Sequence, residues 1–157
     1  MLQPSTLKFL KDLTKNNNKP WLDAHRNQYE AAKKDFETFI QAVIDRYGQK
    51  DETIREQEAK KCIFRINRDI RFSKDKTPYK TNMGASINRG GRKSVFAGYY
   101  FHCEPGQSFV GGGIWMPMAP EMKKVRQEID YCFDEFKRSF NQRSSPTYTG
   151  ICIKEKI

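Results

Sequence analysis

The hydrophobic period of this 157-residue chain changes once, at Cys62, and that change restricts the fold more than any other feature. Upstream the spacing is helical. Leu7, Leu10 and Leu13 recur at i, i+3, i+6 behind Ser5, a residue type that caps helices. From about Pro20 to Tyr47, Trp21 or Leu22, Tyr29, Phe36, Ile40, Val43 and Tyr47 line one face, and Gly48 is a natural residue to follow a helix end. From Cys62 onward the period is two: Cys62, Phe64 and Ile66 alternate with Ile63, Arg65 and Asn67, as in a strand. Side chains repeat every 3.6 residues around a helix and every two along a strand, so the two halves cannot share one secondary structure.

The remaining punctuation completes this division. Asn16-Asn17-Asn18 reads as a turn and the polar stretch 49–61 as a loop. Met83 to Ile87 is a second candidate strand, ended by the turn signal Asn88-Arg89-Gly90-Gly91. Val95 to Cys103 and Ser108 to Trp115 flank Glu104-Pro105-Gly106-Gln107 and are predicted to pair as an antiparallel hairpin. Gly111-Gly112-Gly113 inside the last strand signals a bulge or a close backbone approach. A further helix is predicted over about Pro120 to Phe140, with Met122, Val125, Ile129, Phe133, Phe136 and Phe140 on one face. The expected architecture is α+β: an antiparallel sheet of about four or five strands packed against two long helices and a short N-terminal helix. The length suits one domain, 1–157, in which 5–140 form the core and 141–157 are a tail without a clear period.

Charge is concentrated rather than spread. Residues 1–61 hold 12 Lys/Arg and 10 Asp/Glu, residues 62–93 hold 9 against 2, and residues 94–157 hold 8 against 7. Most of the net +10 therefore lies in one central segment. A localised positive field attracts phosphates, nucleic acid or acidic surfaces. Cys62, Cys103, Cys132 and Cys152 show no CxxC spacing and read as reduced cysteines of a cytoplasmic protein, at least two of them buried. The N-terminus lacks the basic and apolar regions of a signal peptide, and no apolar run has the length of a membrane span.

The densest part of the field is FRINRDIRFSKDKTPYK, Phe64 to Lys80, with six Arg/Lys, two Asp and three aromatic residues. A strand to about Asn67 followed by a turn would bring Arg68 and Arg71 together. Two adjacent guanidiniums repel unless an anion lies between them; Asp69 supplies one partner and a bound phosphate or carboxylate the rest. Arg65, Lys74, Lys76 and Lys80 add charge, and Tyr79 offers a ring for stacking and a hydroxyl. Asp69 and Asp75 lie among cations, which lower a carboxylate pKa, whereas a general acid needs the opposite shift. Asp69 is therefore cast as an orienter of Arg68 or Arg71, or as a metal ligand. A metal would be repelled here unless a phosphate-bearing substrate shared it.

The candidate ligand-binding set is thus Arg65, Arg68, Asp69, Arg71, Lys74, Asp75, Lys76, Tyr79 and Lys80. Its partner is an anionic ligand or nucleic acid and not a membrane. No cofactor and no metal site is called for, and nothing sets an oligomeric state. The competing readings are an enzyme acting on a phosphorylated small molecule, with Asp69 or Asp75 holding a metal through substrate and Tyr79 or His102 near the chemistry, and a protein-interaction domain that turns the basic face to an acidic partner, with the Arg–Asp network partly a structural brace. His102 and Cys103 near Cys62 are too few for a zinc site. A strand histidine is more often simply hydrogen-bonded, His25 has no acidic or Cys partner, and Tyr99, Tyr100 and Phe101 read as core and sheet surface.

The run F-R-x-x-R-D-x-R-F-S-x-D-K-x-P-Y-K resembles the bacterial family catalogued as domain of unknown function 2461. Supporting marks are Asn17-Asn18 before Pro20-Trp21, His25 and Tyr29, Glu104-Pro105-Gly106 followed by Gly111-Gly112-Gly113, and Trp115 to Pro120 leading into Val125-Arg126. The resemblance spans about residues 5–140. It implies a bacterial cytosolic protein and assigns no activity. Members of that family usually continue beyond the last long helix, and NQRSSPTYTGICIKEKI does not look like that continuation, so a C-terminally shortened copy is expected.

Overall fold

Helix α1, Pro4–Lys15, starts where proline fixes a helical φ and its missing N–H leaves no orphan donor. Gln3, with extended backbone, is the N-cap, and no side chain of α1 caps it. Ser5 lies inside the helix, so the expected Ser5 cap does not form. The cap comes from another helix: Asp35 Oδ2 accepts from the Gln3 N–H at 2.9 Å and from the buried Thr6 hydroxyl at 2.6 Å.

The computed structural model describes residues 1–141; the tail 142–157, with Cys152, lies outside them. The helix predicted over 20–47 is two helices, α2 (Lys19–Ala24) and α3 (Arg26–Tyr47). They part at His25, whose backbone leaves the helical region (φ −109°, ψ 24°). Its Nδ1 turns back to the Trp21 carbonyl at 2.8 Å and its ring stacks on Trp21 at 4.1 Å. The three asparagines do act as a turn, with Asn16 closing α1 and Asn18 capping α2 through the Trp21 N–H. On α3 the buried stripe is Ala32, Phe36, Ile40 and Ile44. Val43 is only partly buried and Tyr47 is exposed, because strict i+4 steps select Ile44 as the next residue facing α1. Phe9, Leu10 and Leu13 of α1 pack into that core.

Cys62 to Ile66 is not a strand. Residues Ala59–Cys62 form one helical turn, α4, which follows a short 3-10 turn at Glu52–Ile54. Ile63 then bridges Ala85, and the Phe64 N–H reaches the Gly84 carbonyl at 2.9 Å. Beyond that the segment turns to pair with its own return: Asn67 bridges Tyr79, Arg68 N–H reaches Pro78 O, and Lys80 N–H reaches Ile66 O. Backbone groups satisfied in this way cannot extend the ladder along the sheet, so among the described residues the sheet has three strands rather than four or five. They are β1 (Met83–Asn88), β2 (Gly98–Cys103) and β3 (Phe109–Gly113), antiparallel in that order. The predicted hairpin forms across Glu104 to Gln107, with Gly106 at φ +81°.

Register and pleat together give the sheet two faces. Met83–Cys103, Ala85–Phe101–Val110 and Ile87–Tyr99–Gly112 face the helical side, where Ala85 and Ile87 are fully buried and Phe101 meets Phe39 edge-on. Gly84–His102–Phe109, Ser86–Tyr100–Gly111 and Asn88–Gly98–Gly113 occupy the other face. Gly98 is obligatory there: a Cβ would lie 2.5 Å from both the Asn88 side chain and the Ile87 carbonyl. The helix predicted over 120–140 is also two, α5 (Ala119–Tyr131) and α6 (Phe133–Asn141), parted at Cys132. No residue of α5 is buried, so its apolar face does not join the core described here. No helix among the described residues is long and apolar enough to cross a membrane.

Two substitutions test these constraints. Asp35→Ala leaves the start of α1 and the Thr6 hydroxyl without an acceptor, and chemical denaturation should show a loss of about 1–2 kcal/mol. Gly98→Val should lower stability by roughly 1–3 kcal/mol or more by the same measurement, since backbone as well as side chain must shift.

Candidate functional site

The basic run divides into a self-paired loop and a group of cations without an ion pair among the described residues. In the loop, Arg68 Nη1 donates to Asp75 and, at 2.6 Å, to the Thr77 hydroxyl, while the Thr77 N–H returns to Asp75 Oδ1 at 2.9 Å. Arg71 holds Asp69 bidentately, Nε to Oδ1 at 2.9 Å and Nη2 to Oδ2 at 2.5 Å. Lys76 donates to the Ile70 carbonyl. Each guanidinium thus has its own carboxylate. The Thr77 backbone N–H and Arg68 lower the Asp75 pKa to about 2, and Arg71 lowers that of Asp69. Lys74 is exposed, and Phe72 is 94% exposed beneath the Arg71 guanidinium.

Tyr79, expected to stack on or hydrogen-bond to a ligand, is 7% exposed and lies in the core. Its ring therefore offers no free face. Asn17 clasps its backbone, accepting from the Tyr79 N–H at 3.0 Å and donating to its carbonyl at 2.9 Å. This clasp ties the basic loop to the turn between α1 and α2.

Arg65 and Lys80 belong to the second group. Lys80 Nζ lies 5.4 Å from the centroid of the Phe64 ring and the Arg92 guanidinium 5.5 Å from it. Arg92 is held there by the Ile63 carbonyl at 2.7 Å. Burial first, then the charges of Arg65 and Arg92, push the Lys80 pKa down. Nearby a groove of about 250 Å³ runs between α3 and the 63–66 segment, lined among the described residues by Lys33, Lys60, Arg65 and Arg92 against the carboxylate of Glu37, with Lys33 also 3.9 Å from Glu30. Lys33, Lys60 and Arg92 were not among the predicted site residues. Only Arg92 had a signal, the charge excess that continues to residue 93; the two lysines are ordinary helix residues until the fold brings them to Arg65.

A third arrangement lies on the open face of the sheet. Glu104 accepts from the Thr81 hydroxyl at 2.7 Å and contacts His102 Nε2 at 3.0 Å. His102 Nδ1 contacts the Tyr100 hydroxyl at 3.1 Å and the Asn82 amide at 3.3 Å. Phe109 stacks on the imidazole at 4.8 Å. The hydrogen bonds from His102 and then Thr81 lower the Glu104 pKa, and burial with the Glu104 charge raises that of Tyr100. His102 is thus hydrogen-bonded, as strand histidines commonly are, but its partners form a chain that no sequence spacing announced. Tyr100 is part of the sheet surface, as expected, and the chain begins at its hydroxyl.

Cys62 and Cys103 are buried free thiols whose pKa burial raises. Among the described residues no three His, Cys, Asp or Glu side chains are grouped to hold a metal ion.

The pairing of the loop has a pH consequence. Asp75 titrates at about 2, below its ordinary 3.8. Its contribution to loop order is complete above the ordinary value and is lost as pH falls through the folded value. A carboxyl ¹³C titration should place Asp75 near 2 in the wild type and upward of that in Arg68→Ala, with amide exchange across 68–77 faster in the variant.

No curated protein and no solved structure matches the chain. A family model described as "Conserved hypothetical protein (DUF2461)" matches residues 5–156, past the 5–140 span of the sequence resemblance. With nearly its whole length matched, the chain belongs to that family.

Proposed function

We propose that this protein binds a small phosphate-bearing ligand at the groove beside Phe64. Arg65 is the basic motif residue that lines the groove, with Lys33, Lys60 and Arg92, and Lys80 stands beside it against the Phe64 ring. The observation that supports this reading is the imbalance of charge. Lys80 and Arg92 both lie against the Phe64 ring, and burial, then the charges of Arg65 and Arg92, push the Lys80 pKa down, with no carboxylate in ion-pair range of the three among the described residues. Like charges held this close cost stability unless an anion joins them. A groove of about 250 Å³ fits a small molecule better than a duplex. Arg68, Asp69, Arg71, Asp75 and Lys76 act in this reading as the brace that shapes the loop. The bacterial, cytoplasmic setting implied by the family resemblance belongs to the same reading, and the buried free thiols are consistent with it.

A second reading has one observation in its favour. Phe72 is almost wholly exposed, with Arg71 over its ring and Lys74 exposed nearby, an arrangement suited to stacking a single-stranded base.

Calorimetry with inorganic pyrophosphate and salt-dependent binding of a single-stranded oligonucleotide separate the two. Under the first, Arg65→Ala and Arg92→Ala each weaken pyrophosphate binding roughly tenfold or more, the effect of a lost hydrogen bond to a charged group. Phe72→Ala leaves pyrophosphate binding unchanged. Salt-sensitive oligonucleotide binding lost in Phe72→Ala, without pyrophosphate binding, would replace the first reading by the second.

A further inference from the structure

The Tyr100–His102–Glu104 chain is unused by the binding reading, yet its hydrogen bonds have a direction. An ionised carboxylate only accepts, so the hydrogen between Glu104 and His102 resides on Nε2. In the neutral imidazole this leaves the lone pair on Nδ1. That atom faces two donors, the Tyr100 hydroxyl and the Asn82 amide. The Tyr100 proton is therefore shared with His102, and the imidazole is backed by a carboxylate. Phe109 stacked on the ring, and Thr81 on Glu104, hold the geometry.

Tyr100 is half-buried rather than enclosed. Gly84 lies beneath Tyr100, where a Cβ would come within 3.0 Å of its hydroxyl oxygen. Across the β2–β3 pair Tyr100 faces Gly111, where a Cβ would meet nothing within 4 Å. Phe64 connects this face to the cations: its ring is 6.3 Å from that of Tyr100 and within 5.5 Å of both Lys80 Nζ and the Arg92 guanidinium.

We propose that Tyr100 is a nucleophile activated by His102 and Glu104, and that it acts on a phosphate ester whose phosphate is held by Lys80 and Arg92. The substrate class rests on the anion-binding reading above; the activation of Tyr100 does not. As Tyr100 Oη bonds to phosphorus, its proton passes to His102 Nδ1 and the bond from phosphorus to the ester oxygen breaks. The imidazolium, stabilised by Glu104, returns that proton to the departing alkoxide. A water molecule that loses its proton to His102 then attacks the tyrosyl phosphate. It releases inorganic phosphate, and the proton goes back to Tyr100. Burial keeps the phenol protonated at rest, so activation accompanies attack.

The first test is labelling with two aryl sulfonyl fluorides, neutral benzenesulfonyl fluoride and anionic 4-(fluorosulfonyl)benzoate, mapped by peptide mass spectrometry. Tyr100 should react roughly tenfold or more faster than exposed Tyr47 and Tyr131, and that advantage should vanish in folded His102→Gln and Glu104→Gln, as loss of a general base requires. Labelling of Tyr100 no faster than Tyr47 in folded wild type overturns the activation. The second test is incubation with p-nitrophenyl phosphate. Release of p-nitrophenolate and an acid-trapped phosphoryl adduct on Tyr100, both absent in Tyr100→Phe, are expected. Fast sulfonylation without either overturns the phosphate-ester assignment. Pyrophosphate should protect Tyr100 from labelling in wild type and not in Lys80→Met. Fast labelling that pyrophosphate never slows leaves the activation standing and removes the anion-binding reading.

Discussion

The pleat of the three-stranded sheet is the constraint on which the rest depends. Alternation along β1, β2 and β3 sends Met83, Ala85, Ile87, Phe101 and Cys103 toward the helices and Tyr100, His102 and Phe109 to the opposite face. A slip of one residue would exchange these sets, exposing the core and burying the imidazole. The buried row therefore fixes the open row. Burial of Ala85 and Ile87 positions Tyr100 and His102 as firmly as any contact they make themselves.

Charge is handled in two ways within one short segment. Between Arg68 and Thr77 every carboxylate finds a guanidinium, and the loop closes on itself. These pairs are exposed, and ion pairs of that kind add little stability; what they supply is shape. Around Phe64 the opposite holds. Arg65, Lys80 and Arg92 are brought together by a backbone bridge to β1, by the clasp of Asn17 on Tyr79 and by the Ile63 carbonyl, none of which neutralises a charge. Neutral hydrogen bonds and an aromatic ring hold the cations at close range.

The helical layer shows why a hydrophobic stripe alone does not delimit an element. The period over 20–47 runs on through His25, where the backbone turns because the imidazole bonds the Trp21 carbonyl and stacks on its ring. Cys132, with φ −113° and ψ 36°, parts α5 from α6 within an uninterrupted apolar pattern. A stripe also names no partner. That of α3 meets α1, whereas no residue of α5 is buried among the described residues.

The sequence by itself determined what local chemistry dictates. It set the helical first half, the hairpin across Glu104 to Gln107, the asparagine turn, the concentration of positive charge in 62–93, and the low pKa of Asp69 and Asp75 among arginines. That at least two of the cysteines are buried was legible too, though not which two. Tertiary structure decided the rest, because the deciding contacts are distant in sequence. The bridge of Asn67 to Tyr79 removed the predicted strand at 62–66, and burial took Tyr79 from the candidate set. The fold brought Lys33, Lys60 and Arg92 to Arg65. Tyr100, His102 and Glu104 share one side because of the pleat of β2, and no spacing had singled them out as a set. That this side would be the open one, with Gly84 beside the hydroxyl, depended on which face the helices covered.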